Sequence, residues 1–269
     1  MRIPDFHVHT TFSPDSAMAP QEALEAALES GVTDLCFTDH MDLGQPTEIF
    51  NHIPPFARMR ESVHALRQDY PQINLRFGLE VGYMESHAVQ TVQALEQEAF
   101  DFVILSTHCV DGVDCYPPEA TRGQSKEVFY TRYLETVYDS VTDARLTDCY
   151  DCAGHIGFIA KCNHYKDNTL DYSFSPALID AILMRIIRNE KGVEVNTSGL
   201  ARAGHLLPHP TILKRYRELG GRIITIGSDA HTPQRVGADV RTALHTLREC
   251  GFTEYSLFTD RRIEQIPLI

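Results

Sequence analysis

The sequence predicts a single-domain α/β protein whose parallel strands close into a TIM-like barrel. Short apolar segments alternate with amphipathic helical segments along the chain, and seven or eight such units fill its 269 residues. This alternation favours a parallel sheet with helical crossovers. A closed barrel suits the number of units better than the alternative, a doubly wound open sheet. Barrels of this length are often one domain, so we expect a single domain over residues 1–269.

Eight segments are predicted as strands. Most are short apolar runs rich in β-branched or aromatic residues, the composition of strands that are buried on both faces. The fifth segment is assigned mainly from its position in the chain. In order, the segments are IPDFHVH (3–9), DLCFTD (34–39), INLRFGLE (73–80), FDFVILST (100–107), DCAGH (151–155), GVEVN (192–196), RIITIGSD (222–229) and YSLFT (255–259).

Three segments between these strands carry clear helix signals. PQEALEAALESG (20–31) begins with Pro20, which suits a first helical turn, and ends at Gly31. ALIDAILMRIIRNEKG (177–192) has Arg and Lys near its carboxyl end, where positive charge complements the helix dipole. TILKRYRELGG (211–221) also ends in glycine.

The overall charge limits the partners that the chain is expected to bind. A net charge of −13 repels polyanions, so we expect no nucleic acid and no membrane partner. The opening MRIPDF lacks the layout of a secretory signal, and no apolar run reaches the ~18 residues of a membrane span. We therefore expect a cytoplasmic protein. A small phosphorylated substrate remains possible because metal ions reverse the field locally, and the sequence leaves the oligomeric state open.

Almost every predicted strand ends in an imidazole or a carboxylate, at the end of the barrel where active sites lie. His7 and His9 are two residues apart and therefore project to the same face, as do Asp229 and His231. Such a ring of groups is costly unless divalent ions neutralise it. Imidazoles and carboxylates without thiolates favour zinc, manganese or iron in a catalytic site. The other strand-end residues are Asp39, His40, Glu80, His108, His155, Glu194 and Asn196.

Six short motifs occur in an order and spacing that resemble the PHP (polymerase and histidinol phosphatase) superfamily. They are HVH at 7–9, TDH at 38–40, GLE at 78–80, STH at 106–108, GH at 154–155 and SDAH at 228–231. FTDHMD, GVEVNTSGL and the chain length resemble the histidinol-phosphatase branch most closely. The resemblance implies a distorted (β/α)7 barrel, with the eighth predicted strand as an appendage. It also implies hydrolysis of L-histidinol phosphate to L-histidinol and phosphate, in histidine biosynthesis.

The resemblance further implies a site of two to three divalent metal ions with assigned ligands. HVHTTFSPDS fits the family segment HxHxxxSxDS, which adds Asp15 to the strand-end residues. The implied ligands are His7, His9, Glu80 and Asp229 for one ion, Glu80, His108 and His155 for a second, and Asp15, His40 and His231 for a third. Asp39, Glu194 and Asn196 are expected to orient the imidazoles.

The expected reaction is attack on phosphorus by a hydroxide that bridges two metal ions. Asp229 and His231 are the candidates for proton transfer at the leaving alcohol. After GHI the family commonly has Asp, where this chain has Gly157, and then a basic residue that holds phosphate. Lys161 and Arg202 are the candidates for that substrate-binding role. The long polar loop 110–124 is interpreted as a lid.

Three other functions remain open on the sequence. The first is a PHP-family phosphatase or phosphodiesterase that acts on nucleotides or another small phosphate ester. The second is a metal-dependent amidohydrolase on a similar barrel. The third is a metal-binding module without catalysis. Amidohydrolases often bridge their ions with a carboxylated lysine, whereas Glu80 fills that place here. The intact set of candidate ligands argues against a module without catalysis.

Overall fold

The computed structural model describes residues 2–268 and contains a nearly closed barrel of seven parallel strands. Each strand is hydrogen-bonded to the next in the order β1 (Pro4–Val8), β2 (Asp34–Phe37), β4 (Asn74–Gly82), β5 (Phe102–Ser106), β8 (Cys152–Ala153), β9 (Gly192–Asn196) and β10 (Ile224–Gly227). β3 (His40–Met41) pairs with the carboxyl-terminal half of β4.

The two ends of the sheet meet beyond β1 and β10. Val8 forms a parallel bridge with Ala230, and the amide of Asp229 donates to the carbonyl of His7 over 2.8 Å. The barrel prediction is therefore confirmed, and the doubly wound open sheet is wrong. All seven predicted barrel strands are present, although the weak fifth segment, 151–155, contributes only two residues to β8.

Nine α-helices connect the strands or follow them within the described chain: α1 (Pro20–Ser30), α2 (Phe56–Asp69), α3 (Ala88–Leu95), α4 (Lys126–Thr142), α5 (Phe158–Lys161), α6 (Pro176–Arg188), α7 (Ser198–Arg202), α8 (Pro210–Glu218) and α9 (Val240–Glu249). Short 3-10 helices cover Glu48–Phe50, Glu85–His87, Pro118–Thr121, Tyr172–Phe174 and Pro233–Arg235. Between residues 2 and 268, no helix has the length and apolar character needed to cross a bilayer.

The three predicted helices are found, and two of them end earlier than expected, because α8 also stops at Glu218 rather than at the predicted glycines. α1 matches its prediction and stops where Gly31 adopts a left-handed backbone with φ 79°. α6 ends at Arg188, so the predicted extension to 192 is wrong. Gly192 instead begins β9 and pairs with Cys152, whose Sγ would lie 2.4 Å from a Cβ at this position. Only glycine fits that close approach between strands without displacing a neighbour.

The eighth predicted strand lies outside the barrel. β11 (Glu254–Thr259) and β12 (Arg262–Pro267) form an antiparallel hairpin. The hairpin contacts residues near the amino ends of three barrel strands. Ser256 Oγ accepts from the amide of Ile224, Thr259 Oγ1 accepts from Arg76, and the ring of Phe258 lies 5.0 Å from that of Phe102. The hairpin is therefore an appendage at the end of the barrel opposite the strand-end histidines.

Buried apolar side chains fill the interior of the barrel. Inside the barrel, Phe6 packs edge-to-face against Phe102 with ring centroids 5.5 Å apart, and both side chains are almost fully buried. Leu79 and Ile104 are also inaccessible to solvent. This filled interior holds the strands in place, so the residues at their carboxyl ends are presented from a rigid base.

Two further short strands follow β5 and depart from the barrel pattern. β6 (Cys109–Val110) and β7 (Val113–Asp114) pair in an antiparallel hairpin, with Cys109 opposite Asp114. This hairpin begins the segment 110–124 that was interpreted as a lid. It places residues of that segment beside the carboxyl ends of the barrel strands.

Candidate metal centre

The carboxyl ends of the barrel strands open into a cavity of about 580 Å³. Seven of the nine predicted metal ligands line it, and the other two, His7 and His9, are fully buried beneath it. The predicted phosphate-binding residues Lys161 and Arg202 line it as well. All predicted site residues are thus brought together. We refer to the nine predicted ligands as the ligand cluster: His7, His9, Asp15, His40, Glu80, His108, His155, Asp229 and His231.

The first implied set of ligands converges on one point at the bottom of the cavity. Glu80 Oε2 lies 3.2 Å from His7 Nε2 and 3.5 Å from His9 Nε2. Asp229 Oδ1 lies 3.8 and 3.5 Å from the same two nitrogens. These separations match ligand atoms placed around a single ion, each ~2.0–2.3 Å from it.

The second implied set uses the other oxygen of the same carboxylate. Glu80 Oε1 lies 2.9 Å from His155 Nε2 and 3.2 Å from His108 Nε2. The two nitrogens are 3.4 Å apart. Glu80 therefore presents one oxygen to each of two neighbouring groups, as a bridging carboxylate must.

The third implied set lies at the rim. Asp15 Oδ2 is 3.0 Å from His231 Nε2 and 3.7 Å from His40 Nε2. The ring of His9 stacks against those of both His40 and His231, with centroids 4.3 and 4.1 Å away, and those two rings are 5.9 Å apart. This stacking joins the third set to the first.

The hydrogen bonds of the histidines leave a nitrogen lone pair facing the cavity. When the Nδ1–H of a histidine is donated to an oxygen, its Nε2 becomes the available metal ligand. Four members of the ligand cluster are held this way: His7 by Glu194, His9 by Ser13, His108 by Asp42 and His231 by the carbonyl of Asp229.

Several converging atoms in the cluster are buried and unpaired. His7 Nε2, His9 Nε2 and Glu80 Oε2 have no hydrogen-bond partner. Buried polar atoms without partners are costly and rare in folded proteins. A divalent cation satisfies all three at once, so the residues present fit a metal ion.

The electrostatics of the cluster keep both central carboxylates ionised. Burial raises the pKa of Glu80, but the imidazoles of His7, His40 and His108 outweigh it and hold that pKa well below its usual range. Burial likewise raises the pKa of Asp229, and Lys161 and His7 more than reverse the change. An ionised carboxylate is the form that binds a metal ion.

Glu194 alone of the three predicted orienting residues contacts the imidazoles as expected. Its carboxylate accepts from His7 Nδ1 and from the backbone amide of His155. Asp39 instead accepts from Thr10 and Ser13, and reaches His9 only through Ser13. The prediction that Asp39 itself contacts an imidazole is therefore wrong.

Asn196 contacts no imidazole, so the expectation for it is also wrong. Its amide Nδ2 lies 3.3 Å from Glu194 Oε2 and 3.4 Å from Asp229 Oδ2. Asn196 thus supports two carboxylates of the site rather than a histidine.

Asp42 is an orienting residue that the sequence reasoning missed. Its Oδ1 accepts from His108 Nδ1 over 2.6 Å, and its Oδ2 lies 3.1 Å from His40 Nδ1. A signal was present, because Asp42 follows His40 by two residues, the same spacing that relates His7 to His9. Asp42 therefore joins ligands of two different implied ions.

We expect Asp42→Asn to weaken zinc binding by about 10- to 100-fold, because the imidazoles of His40 and His108 lose the charge that orients them and raises their basicity. Competition with a chromophoric chelator measures the affinity. The matched control is Asp69→Asn, an exposed carboxylate at the end of α2. Zinc affinity within about twofold of the parent in the Asp42 variant would contradict the assigned role.

Lys161 and Arg202 occupy different parts of the cavity wall. Lys161 is buried on α5, forms an ion pair with Asp229 Oδ2 and lies 3.2 Å from Ser198 Oγ. Arg202 ends α7 and donates to the hydroxyl of Tyr116. Lys161 is paired as a cation with a carboxylate, and Glu80 stands between the implied ions. This arrangement differs from an amidohydrolase site bridged by a carboxylated lysine.

Gly157, which stands where the family commonly has Asp, begins the short helix that carries Lys161. Its backbone is left-handed, with φ 105°, and its amide donates to the hydroxyl of Tyr133. Glycine adopts this conformation without strain. The departure from the family pattern therefore has a local structural basis in the turn before Lys161.

The predicted lid contributes residues to the cavity that were not identified from the sequence. Asp114 and Tyr116, from segment 110–124, line the cavity together with Phe50 and Phe158. The movement of the segment stays a prediction. Its position beside the ligand cluster follows from the β6–β7 hairpin, which begins one residue after His108.

Comparison with known proteins shows similarity over nearly the whole chain. A family model described as PHP domain matches residues 5–198. A histidinol-phosphatase of Lactococcus lactis is 27% identical over 267 residues, which cover 98% of this chain and 97% of the relative. A probable histidinol-phosphatase of Clostridium acetobutylicum is 29% identical, over 96% of this chain and 97% of that one.

A solved structure shares the fold throughout. It is the crystal structure of histidinol phosphate phosphatase from Lactococcus lactis complexed with zinc, L-histidinol and phosphate. The two chains superpose with a TM-score of 0.90 at 25% identity, over 98% of this chain and 99% of the other. The two chains therefore share one fold over nearly their whole lengths.

Proposed function

The chain belongs to the PHP domain family, and from this premise we propose that it is a metal-dependent phosphomonoesterase that hydrolyses L-histidinol phosphate to L-histidinol and phosphate. The observation that carries the proposal is the convergence of the nine predicted metal ligands at one end of the barrel. Full-length similarity to a relative whose crystal structure holds zinc, L-histidinol and phosphate supports the choice of substrate. The net charge of −13 favours a small ester over nucleic acid. A cytoplasmic location belongs to the same proposal.

We assign two to three divalent ions to the ligand cluster, with zinc favoured over manganese and iron by the solved relative. The proposed ligand sets are His7, His9, Glu80 and Asp229, then Glu80, His108 and His155, and at the rim Asp15, His40 and His231. When bound, such ions polarise phosphoryl oxygens and lower the pKa of a water molecule.

The residues of the chain supply orientation and charge around the reacting ester. Glu194, Ser13 and Asp42 fix the imidazoles of three ligands through their Nδ1 protons. Lys161 and Arg202 bring positive charge to the cavity wall, where it stabilises phosphoryl oxygens as their negative charge develops. Arginine adds a bidentate fork, whereas lysine acts as a point charge.

Both residues predicted to transfer a proton to the leaving alcohol are also proposed metal ligands, and His231 is the more exposed of the two. Both oxygens of Asp229 are already committed, because Oδ2 accepts from Lys161 and Oδ1 faces His7 and His9. His231 lies at the mouth of the cavity with its side chain 27% exposed. Of the two, His231 therefore has the better access to solvent for the exchange of a proton.

The test of the proposed function is a substrate panel on the metal-loaded protein. Phosphate release is measured from L-histidinol phosphate, several nucleotides and a phosphodiester, and hydrolysis of an amide is followed in parallel. We expect kcat/KM for L-histidinol phosphate to exceed the others by about 100-fold or more, because a site built to bind a polar substrate discriminates strongly. A nucleotide or diester with a far larger kcat/KM would instead support the other PHP-family activity, and rapid amide hydrolysis would support an amidohydrolase.

A further inference from the structure

Among the described residues, five carboxylates line the cavity, and one of them is bound differently from the rest. Four are engaged with imidazoles or with a lysine: Asp15 with His231, Asp42 with His108, Glu80 with several imidazoles and Asp229 with Lys161. The side chain of Asp114 accepts only from neutral donors: Gln45 Nε2 at 3.2 Å, Thr47 Oγ1 at 3.4 Å and the amide of Tyr116 at 2.8 Å.

These bonds fix the Asp114 carboxylate on the cavity wall. Asp114 lies opposite Cys109 in the β6–β7 hairpin, next to His108 of the ligand cluster. Gln45 belongs to the loop after β3, so the Asp114 side chain ties that loop to the hairpin after β5. The carboxylate is therefore held in place close to the cluster, but without a cationic partner within residues 2–268.

The proposed substrate carries a cation at a matching place. In L-histidinol phosphate a protonated primary amine is attached to the second carbon from the ester oxygen. An amine so close to the phosphate must lie near the ligand cluster when the phosphate is bound there. The other four carboxylates of the cavity wall are already engaged, and Lys161, Arg202 and Arg235 repel the amine.

We propose that Asp114 binds the protonated amine of the substrate by a charge-assisted hydrogen bond. This inference rests on the proposed function and names the residue that selects the substrate. A phosphate ester without an amine leaves the carboxylate unpaired, and a nucleotide brings further negative charge towards it. Asp114 thus favours amine-bearing esters and disfavours polyanionic ones.

The test compares two substrates in three proteins. The substrates are L-histidinol phosphate and its deamino analogue, 3-(imidazol-4-yl)propyl phosphate. The proteins are the parent, Asp114→Asn and the control Asp111→Asn, all loaded with zinc. Asp111 lies between the strands of the same hairpin and pairs with Arg132 at the surface, so its variant removes the same charge away from the cavity.

We expect the parent to prefer the amine-bearing substrate by about 10- to 100-fold in kcat/KM, the usual effect of a hydrogen bond to a charged group. In Asp114→Asn this ratio falls to about 1–3, mainly through a higher KM, while Asp111→Asn keeps the parental ratio. Zinc content and the melting temperature establish that each variant is folded and loaded. If Asp114→Asn does not fold, Asp114→Glu serves, with an intermediate ratio expected.

The other outcomes of this experiment would overturn either the assignment to Asp114 or the proposed function. A parental ratio in the folded Asp114 variant overturns the assignment, and so does a parent that does not distinguish the two substrates; the proposed function stands in both cases. A parent that hydrolyses neither substrate while it hydrolyses another phosphate ester overturns the proposed function, and the assignment to Asp114 with it.

Discussion

Glu80→Gln is expected to lower kcat/KM for L-histidinol phosphate by about 10³-fold or more. Glu80 is fully buried, and its two oxygens face two different groups of imidazoles. An amide at this place offers one neutral oxygen and an NH2 group, which is not a metal ligand. The variant would therefore lose the carboxylate that we propose as the bridge between two ions, and the charge that would balance them.

The measurement for Glu80→Gln is the rate of phosphate release together with the number of zinc ions bound per chain. Glu61→Gln is the matched control, because Glu61 lies exposed on α2 and takes no part in the site. Circular dichroism shows whether the variant keeps the barrel. A folded Gln variant with near-parental kcat/KM would disprove the role of Glu80 as a bridge.

Lys161→Met is expected to lower kcat/KM by about 10²-fold. Lys161 is the buried cation that pairs with Asp229 at the edge of the ligand cluster, and methionine has a similar length without the charge. Loss of a fixed charge that stabilises phosphoryl oxygens has an effect of this size. Inorganic phosphate, the expected product, should also inhibit the variant at higher concentrations than the parent.

Inhibition by phosphate separates a role in binding phosphate from a general disturbance. The control is Lys214→Met, an exposed residue of α8 that should keep the parental rate and inhibition. Arg202→Met is a useful companion, since its guanidinium binds Tyr116 rather than a ligand of the cluster, and we expect a smaller loss of about 10-fold. Unchanged inhibition by phosphate in the Lys161 variant would rule out the proposed contact.

The barrel and the ligand cluster were both predictable because they depend on the same regularity. Strands buried on both faces appear as short apolar runs, and parallel strands in a barrel end at one rim. His7, His40, Glu80 and His155 therefore come together although they are far apart in the sequence. The amphipathic α1, with Pro20 and Gly31 at its ends, was predictable from local signals alone.

Other features depend on tertiary contacts that no local pattern reveals. Asp42 directly follows the short strand β3 and Asp114 ends the short strand β7, both outside the alternation of long strands and helices. Whether Asp39 or Asp42 reaches an imidazole depends on side-chain direction in a turn. The end of α6 was also predicted wrongly. A glycine after a helical pattern usually indicates a helix end, whereas Gly192 lies in β9, where it allows a close contact with the neighbouring strand.

The most direct test of the account is a metal titration followed by two readouts in the same samples. The chain is stripped with a chelator and zinc is added back in steps. Bound zinc is counted by mass spectrometry, and phosphate release from L-histidinol phosphate is measured at each step. We expect no activity in the stripped chain, activity that rises as the second ion binds, and saturation at two to three ions per chain. Full activity with one ion or none per chain would contradict it.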